Sequence, residues 1–417
     1  MVKEIKKSYG NKYLSEVPDD WELKWLNKVV DYSGGSQPPK RTFSKKNKKG
    51  YIQLYQIRDY TGSQDRPYYI PKEKASKTTD EGDILIARYG ASLGQIFWAK
   101  NGAYNVAMAK VIKETDNIIN NYLYYYFKSR IFQDRLTICS RAAQSGFNKQ
   151  DWATFLIPLP PLPEQKKIAS ILSSVDKAIE KTDQVIEKTK ELKKGLMQKL
   201  LTKGIGHSEF KEVRIGPRVI KIPKIWEVKM LDEFAKVKGG KRVPKNMNLV
   251  KEKTPYPYIR VADFDNYSVD ATDMKYATKE IYNKIKKYTI SKDDVYISIA
   301  GTIGLVGVVP DELDNQLLTE NAAKIVIKNK NEIFNKFLAY SLSGFEPQSQ
   351  INGYIGTTGV PKLALKRVKK LEVPIPPLKE QKKIASILSS VDKKIEKEQQ
   401  YKEKLQKLKK GLMQKLL

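Results

Sequence analysis

The sequence predicts a mixed α/β protein in which two domains, related by an approximate two-fold axis, are separated by a pair of long helices that form an antiparallel coiled coil. Three observations support this prediction. One long stretch occurs twice at constant spacing, that stretch has the apolar period of a helix, and the segments between its copies contain strand-like and helix-like runs.

The repeat divides the chain into four blocks. EQKKIASILSSVDK occupies 164–177 and recurs at 380–393, and 34 of 45 positions are identical between 157–201 and 373–417 without a gap. The remaining segments are only weakly similar to each other, and the similarity is interrupted by insertions. VPDDWELKWL (17–26) resembles IPKIWEVKML (222–231), and GDILIARYGASLG (82–94) resembles DDVYISIAGTIG (293–304). We therefore predict variable domains at 1–156 and 205–372 and constant helical blocks at 157–204 and 373–417.

Each constant block predicts one long amphipathic helix. Apolar residues recur at helical spacing from Ile168 to Leu200, and prolines precede the helix, so we expect it to begin near Glu164 and to measure roughly 57 Å. Two such stripes can bury each other as a coiled coil, with Leu192 and Leu408 among the predicted contact positions. Chain length permits parallel or antiparallel packing; antiparallel packing is favoured because it places one variable domain at each end of the rod.

The variable domains have mixed α/β patterns. Runs of strand composition occupy 52–57, 84–88, 257–261 and 295–300, while 118–130 and 331–343 have helical patterns. The aromatic run at 124–127 could form a platform for stacked bases. Since four consecutive residues point all round a helix, we expect it to pack in the core instead.

The charge indicates a polyanionic partner. The formal net charge is +30 and every block is basic, which favours nucleic acid, although a merely soluble, lysine-rich protein would also show this excess. The single cysteine, Cys139, excludes a disulfide framework. The sequence contains no secretory signal and no apolar run long enough to span a membrane, so we expect a cytoplasmic protein with no membrane partner.

Residue patterns for catalysis are missing from the sequence. There is no phosphate-binding loop of the G-x-x-x-x-G-K-[ST] type and no H-E-x-x-H motif, and His207 is the one histidine. VPDDWELK contains two aspartates and a lysine, as nuclease sites do, but IPKIWEVK lacks both aspartates. We therefore interpret the shared pattern as a structural element at the start of each domain. We expect no catalytic residue and no metal site in this chain.

Polar residues also recur on the two predicted helices. A coiled coil requires only its apolar positions to repeat, yet Lys193 and Lys409 correspond, as do Lys194 and Lys410. We therefore predict that one kind of partner docks twice; the alternative is a recent duplication that copied residues regardless of use. The candidate docking residues are Lys166, Lys167, Ser170, Lys382, Lys383 and Ser386.

The motif P-x-P-P-L-x-E-Q-x-x-I, found at 158–168 and 374–384, together with two diverged domains, resembles the specificity subunit of type I restriction–modification systems. The resemblance implies that each variable domain is a target-recognition domain for one half of a split, asymmetric DNA site, and that the coiled coil sets the gap. It also implies two docked adenine methyltransferase subunits, joined by restriction subunits. S-adenosylmethionine, ATP and Mg²⁺ would then bind those partners, with no cofactor in this chain. The alternatives are a stand-alone architectural or regulatory DNA-binding protein and a nuclease with an unrecognised site.

Candidate DNA contacts follow from this resemblance. Arg58 in YQIRDY and Arg260 in YIRVAD are expected to be equivalent, and therefore to be framework or phosphate contacts, or to form ion pairs with Asp59 and Asp263. Base readers are expected where equivalent loops differ, at 36–49 against 241–253, 88–92 against 299–302, and 144–150 against 357–362. The candidates are Lys40, Arg41, Lys45, Lys46, Arg58, Arg88, Gln144, Asn148, Lys149, Lys241, Arg242, Lys245, Arg260, Thr302, Thr357, Thr358 and Lys362.

Overall fold

The computed structural model describes residues 17–62, 66–140, 146–355 and 361–417. Its contacts divide the chain into two units. Unit 1 contains the residues up to Thr182 together with 401–417, and unit 2 contains 183–400. Each unit thus combines one variable segment with the first part of one repeated helix and the last part of the other.

The variable segment of unit 1 contains ten described strands and four described α-helices. The strands are β1 Glu22–Trp25, β2 Val30–Gly34, β3 Tyr51–Tyr55, β4 Tyr68–Pro71, β5 Thr78–Thr79, β6 Ile84–Ala87, β7 Ile96–Trp98, β8 Gly102–Tyr104, β9 Met108–Lys113 and β10 Leu156–Leu159. The helices are α1 Arg58–Thr61, α2 Asn120–Lys128, α3 Arg130–Ser140 and α4 Lys149–Trp152.

Two four-stranded sheets form the body of unit 1. One has the antiparallel order β2–β9–β6–β7; the other has the order β4–β3–β8–β5, in which β3 and β8 run parallel. Strand β6 is buried along its whole length, which explains its continuous apolar sequence ILIA. Strand β1 pairs with β10 where the chain leaves the variable segment, so the entry and exit of the segment lie side by side.

The aromatic run on α2 belongs to the core, which confirms the prediction of core packing. Tyr125, Tyr126 and Phe127 are buried. Tyr126 donates its hydroxyl hydrogen bond to the carbonyl of Leu156, and Tyr122 donates to that of Pro158, both on β10. Buried tyrosines need such partners, and these bonds fix α2 against the strand that leads into the long helix.

The first long helix, α5, spans Leu162–Leu200. It begins two residues before Glu164, in agreement with the expected start near that residue. Pro163 lies in the first turn, where its missing N–H costs no helical hydrogen bond. The helix therefore begins within the proline cluster, directly after Pro161.

The variable segment of unit 2 contains fourteen described strands and five described α-helices. The strands are β11 Phe210–Ile215, β12 Arg218–Pro223, β13 Glu227–Met230, β14 Ala235–Gly239, β15 Pro257–Ile259, β16 Phe264–Asp265, β17 Ser268–Val269, β18 Lys275–Tyr276, β19 Thr289–Ile290, β20 Val295–Ser298, β21 Val306–Val308, β22 Gln316–Leu318, β23 Ala322–Ile327 and β24 Glu372–Ile375. The helices are α6 Leu231–Phe234, α7 Lys279–Ile285, α8 Asn335–Ser343, α9 Phe345–Tyr354 and α10 Leu365–Lys369.

Unit 2 repeats the topology of unit 1. Its sheets have the orders β14–β23–β20–β21 and β18–β15–β22–β19, the second again with one parallel pair, and β13 pairs with β24. The hairpins β11–β12 and β16–β17 are additional to the shared framework. The strands predicted at 52–57, 84–88, 257–261 and 295–300 and the two predicted helices are confirmed.

The second long helix, α11, spans Leu378–Leu416, and it packs antiparallel to α5 within each unit. In unit 1, Asp176 pairs with Lys409, while Ile168 shares a core with Met413 and Leu416. In unit 2, Lys193 pairs with Asp392, while Leu200 shares a core with Ile384. Residues nearer the C-terminal end of α5 contact residues nearer the N-terminal end of α11, which confirms the antiparallel prediction.

The predicted apolar seam is only partly correct. Ile168, Leu172, Ile186 and Leu200 are buried, but Leu192 is 56% exposed and its repeat counterpart Leu408 is 50% exposed. An α-helix has 3.6 residues per turn, so positions assigned by a strict seven-residue repeat drift away from the seam over many turns. The two leucines therefore lie on equivalent exposed positions. No helix among the described residues has the length and apolar character that a bilayer crossing requires.

Candidate nucleic-acid interface

A pair of glycines ends the first strand of the antiparallel four-stranded sheet in each unit. A Cβ on Gly35 would overlap the carbonyl oxygen of Asn105, and a Cβ on Gly240 would overlap that of Thr319. Glycine is required at both positions because the backbone passes directly over another strand connection. The following loops, 36–49 and 241–253, therefore start from the same place in the two frameworks.

Three sequence-predicted reader loops converge in unit 1. The backbone of Tyr89 bridges to Gly146, which joins loop 88–92 to the described part of loop 144–150. The Arg88 guanidinium packs over Gly34 and lies 5.2 Å from the ring centroid of Tyr32 and 4.9 Å from that of Tyr89. These contacts bring the start of loop 36–49 to the same site, with an arginine at its centre.

Several buried polar atoms at this convergence have no hydrogen-bond partner within the described part of the chain. They are Ser36 Oγ, Arg88 Nε and Asn105 Oδ1. Leaving such an atom unbonded costs about 1–3 kcal/mol, so a bound group that forms hydrogen bonds with these atoms would be stabilised. The site combines aromatic rings packed around an arginine with unused hydrogen-bonding capacity.

The same loops converge in unit 2, but their side chains differ. Ala300 bridges to Lys362 where unit 1 pairs Tyr89 with Gly146, and Ile299 occupies the position of Arg88. Arg242, on the loop that follows Gly240, has its Nε donate to Glu320 at 2.7 Å. Burial opposes ionisation of Glu320, but the hydrogen bond from Arg242 holds the pKa of that carboxyl below its usual value.

Apart from Arg58, Arg88 and Arg260, the candidate DNA contacts fall into three groups. Gln144, Thr357 and Thr358 lie outside the described residues. Asn148 caps α4 by accepting from two backbone amides, and Lys149 pairs with Asp31, so both carry structural roles. The exposed members in unit 1 are Lys40, Arg41, Lys45 and Lys46, and those in unit 2 are Lys241, Arg242, Lys245, Thr302 and Lys362.

The expected equivalence of Arg58 and Arg260 is wrong. Tyr55 pairs in register with Tyr104, as Ile259 does with Leu318, so the counterpart of Arg260 is Gln56. The backbone amides of Gln56 and Arg260 each donate to the aspartate three residues later, which confirms this register.

The two arginines therefore have separate roles. Arg260 forms a bidentate ion pair with Asp263, a framework contact that the sequence left open. Arg58 donates to the carbonyl of Arg66 and lies 4.9 Å from the ring centroid of Tyr68. A position found in unit 1 alone remains compatible with base reading.

Sequence reasoning missed a second set of functional positions, which fasten each variable segment to its helices. The indole N–H of Trp21 donates to Glu164 at 3.1 Å, and that of Trp226 donates to Glu380 at 3.1 Å. His207 Nε2 lies 2.8 Å from the same Glu380. The lone histidine therefore has a structural contact, and the shared tryptophans explain the repeated WELK and WEVK openings.

A buried glutamine follows each of these glutamates. Gln165 is fully buried; it donates to the carbonyls of Asn117 and Pro160 and accepts from the amide of Ile119. Gln381 makes the same three bonds with Glu332, Pro376 and Phe334. One side chain thus satisfies three backbone groups where the helix meets the variable segment.

An aspartate joins three elements in each unit. In unit 1, Asp176 accepts from the hydroxyl of Tyr125 on α2 and pairs with Lys409 on α11. The equivalent groups in unit 2 are Asp392, Tyr340 and Lys193. Burial, and then the neighbouring carboxylate, raise the pKa of both tyrosines, so each remains a hydrogen-bond donor.

These contacts show that the prediction of a repeated outer surface is wrong for some of the recurring polar residues. Lys193 and Lys409 do not form an outer surface: their side chains are 14% and 21% exposed, and they pair within the molecule. Much of the repeat is explained by one set of internal contacts made twice. The predicted docking residues Lys166, Lys167, Ser170, Lys382, Lys383 and Ser386 are all exposed.

Comparisons with known proteins agree with this geometry. The family model described as type I restriction modification DNA specificity domain matches residues 18–190 and 223–407. The chain is 28% identical to the type I restriction enzyme MjaVIII specificity subunit of Methanocaldococcus jannaschii, over 96% of this chain and 93% of that protein. It is 29% identical to the putative MjaX specificity subunit of the same organism, over 97% and 94%.

A solved structure shares the fold. The type I restriction–modification S subunit from M. genitalium superposes with a TM-score of 0.60 at 17% identity, over 98% of this chain and 97% of that chain. The matched family segments together cover most of both variable segments and most of both long helices. The chain belongs to the type I restriction–modification specificity-subunit family, the non-catalytic, DNA-recognising component of such systems.

Proposed function

We propose that this chain reads a bipartite, asymmetric DNA sequence, with the recognition domains at 1–156 and 205–372 each reading one half-site. The supporting observation is that two frameworks of identical topology carry different side chains where their loops converge. Arg88 and Tyr89 in unit 1 correspond to Ile299 and Ala300 in unit 2. One scaffold with unlike reading loops suits a DNA target whose halves differ.

The reading residues follow from chemistry and exposure. Arginine recognises the O6 and N7 acceptors of guanine in the major groove, so Arg88 in domain 1 and Arg242 in domain 2 are the proposed base readers. The exposed lysines at Lys40, Lys45 and Lys46, and at Lys241 and Lys245, bind phosphates and set the register of each domain on the duplex. Arg242 would exchange its contact with Glu320 for a base.

The helical blocks, at 157–204 and 373–417, set the gap between half-sites and dock partner subunits. Lys166, Lys167 and Ser170 and their counterparts Lys382, Lys383 and Ser386 present the same exposed groups twice. Leu192 and Leu408 add an exposed apolar residue at equivalent places. Two copies of one methyltransferase would use these surfaces, with restriction subunits joining them; S-adenosylmethionine, ATP and Mg²⁺ bind those partners, and the complex acts on cytoplasmic DNA.

Methylation assays test this proposal. The purified chain alone should methylate no DNA, and addition of its methyltransferase partner should produce adenine methylation at one bipartite sequence, mapped across a genome. The alternative is a stand-alone DNA-binding regulator. Sequence-specific binding by the chain alone, with no motif methylated after the partner is added, would favour that alternative.

Docking has a separate test. Replacing Lys166, Lys167, Lys382 and Lys383 by glutamate should abolish co-purification with the methyltransferase at moderate salt while the melting temperature stays unchanged. The matched control replaces four exposed lysines that do not recur between the helices, namely Lys190, Lys379, Lys394 and Lys407. Equal co-purification of both variants would exclude the proposed surface.

A further inference from the structure

The hairpin β16–β17 in unit 2 has an unusual turn. Its two central residues, Asn266 and Tyr267, have φ angles of 41° and 64°. Two-residue hairpin turns with both φ angles positive are normally Asn-Gly, because glycine adopts this conformation without steric cost. Asn266 suits its position, but a tyrosine at the second position is strained, and such strain persists only where surrounding contacts hold it.

The Tyr267 ring supplies those contacts. The Nζ of Lys193 on α5 lies 4.2 Å from its centroid, and the ring of Tyr340 on α8 lies at 4.6 Å between centroids. Its hydroxyl contacts the sulfur of Met197 at 3.7 Å and accepts from Ser343 at 3.2 Å. The strained residue therefore bridges the recognition domain and the long helix of the same unit.

The backbone of the turn is fixed from the other side. The carbonyl of Tyr267 accepts from Val308 at 3.0 Å, at the edge of the antiparallel sheet. Gly307 leaves room for this approach, since a Cβ there would overlap the Tyr267 backbone and the Tyr296 hydroxyl. Phe264, at the base of the hairpin, stacks on Tyr296 with a 3.8 Å centroid separation. The turn is therefore attached to the edge of the sheet, and the ring of Tyr267 contacts Lys193 on the long helix.

The ring also lies on the cation that joins both helices. Lys193 pairs with Asp392 on α11, and Asp392 accepts from Tyr340 at 2.7 Å. A cation held over an aromatic face in a site with little solvent is a stronger interaction than an exposed one. Any rotation of domain 2 about its helices would separate Tyr267 from Lys193.

We propose that Tyr267 is a positioning residue that fixes the orientation of recognition domain 2 on its helices and so restricts methylation to one gap length. The inference rests on the proposed function. DNA rises about 3.4 Å per base pair. One base pair also turns the second half-site by about 35° about the duplex axis, since B-DNA has about 10–10.5 base pairs per turn. A domain must therefore both shift and turn on its helices to accept a gap that differs by one base pair.

Replacement of Tyr267 by glycine tests this directly. The variant restores the favoured Asn-Gly turn while removing the ring, so the hairpin should fold and the melting temperature should change little. Co-expressed with the methyltransferase, it should methylate both half-site sequences unchanged, at the original gap and at gaps one base pair longer or shorter. Two controls should retain a single gap: Tyr267→Phe, which keeps the ring, and Asn266→Gly, which alters only the turn.

The outcomes separate the two proposals. If the unmodified chain yields no bipartite motif, the proposed function fails. If it yields one motif and Tyr267→Gly keeps the same single gap, the positioning role is wrong. If the glycine variant folds poorly, Tyr267→Asn replaces it in the test, because asparagine also adopts positive φ angles. The set of gap lengths that this variant methylates then decides the question. Loss of all methylation by folded variants would also overturn the inference, because a positioning residue should relax the gap without abolishing activity.

Discussion

Units 1 and 2 fasten their recognition domains with the same groups, but they differ in what lies beside the repeated lysine. In unit 2, the ring of Tyr267 covers Lys193. In unit 1, Lys128 at the end of α2 lies near Lys409, and the corresponding final residue of α8 is Ser343. One unit adds an attractive ring to its lysine, and the other adds a second cation.

The same fastening contacts therefore form next to an aromatic ring in unit 2 and next to a second cation in unit 1. Burial, and then repulsion from Lys409, lower the pKa of Lys128 to about 8, although Asp176 partly opposes the shift. Lys128 donates to the hydroxyl of Tyr124, whose pKa burial raises to about 12. Unit 1 thus has the Glu–Trp, glutamine and aspartate contacts, and unit 2 has the same contacts together with the ring of Tyr267.

The largest expected effect comes from exchanging a whole domain. Because the same groups fasten both domains, residues 205–372 should be replaceable by the equivalent segment of another family member that keeps the tryptophan and tyrosine partners. One half of the methylated motif should change completely and the other half should stay the same, as mapped by genome-wide methylation. A change in both halves, or in neither, would break the equivalence of the two units.

Removing the buried glutamines compares the two fastenings energetically. Gln165→Leu and Gln381→Leu each leave three backbone groups unbonded, which should lower the free energy of unfolding by about 2–4 kcal/mol. Because the bonds are the same, we expect similar losses in both variants by urea unfolding. Gln184→Leu changes an exposed glutamine on the same helix and should have little effect. Markedly unequal losses would show that the units depend on this contact to different degrees.

A smaller, pH-dependent effect is specific to unit 1. The lowered pKa of Lys128 means that the unfolded chain binds more protons between about pH 8 and the ordinary lysine value near 10.4, so this group adds stability as pH rises. Lys128→Met should therefore be more stable than the unmodified chain at pH 7. Its advantage should narrow by about 1–2 kcal/mol at pH 9.5, at 1.36 kcal/mol per pKa unit.

The control for this measurement is Lys128→Arg, which stays charged at both pH values and should keep a constant disadvantage relative to Lys128→Met. The facing groups Lys409, Asp176 and Tyr124 are present in every variant. A pH-independent difference between the unmodified chain and Lys128→Met would show that Lys128 remains fully charged in the folded protein.

The sequence by itself determined the repeat, the two long helices and the family. Identity at constant offset and a helical apolar period are properties of neighbouring residues, so they need no knowledge of distant contacts. The aromatic run of α2 was likewise assigned to the core correctly, because no face of a helix can collect four consecutive side chains.

Only the tertiary structure decided which repeated residues serve which purpose. Lys166 and Lys193 recur equally well in the sequence, yet the first is exposed and the second pairs with Asp392 across the two helices. Strand pairing alone showed that Gln56, and not Arg58, corresponds to Arg260, because insertions shift the alignment of diverged segments while hydrogen-bond register does not. The role of the strained turn at Tyr267 likewise depends on the contact of its ring with Lys193. Contacts between residues far apart in the chain leave no local pattern in the sequence.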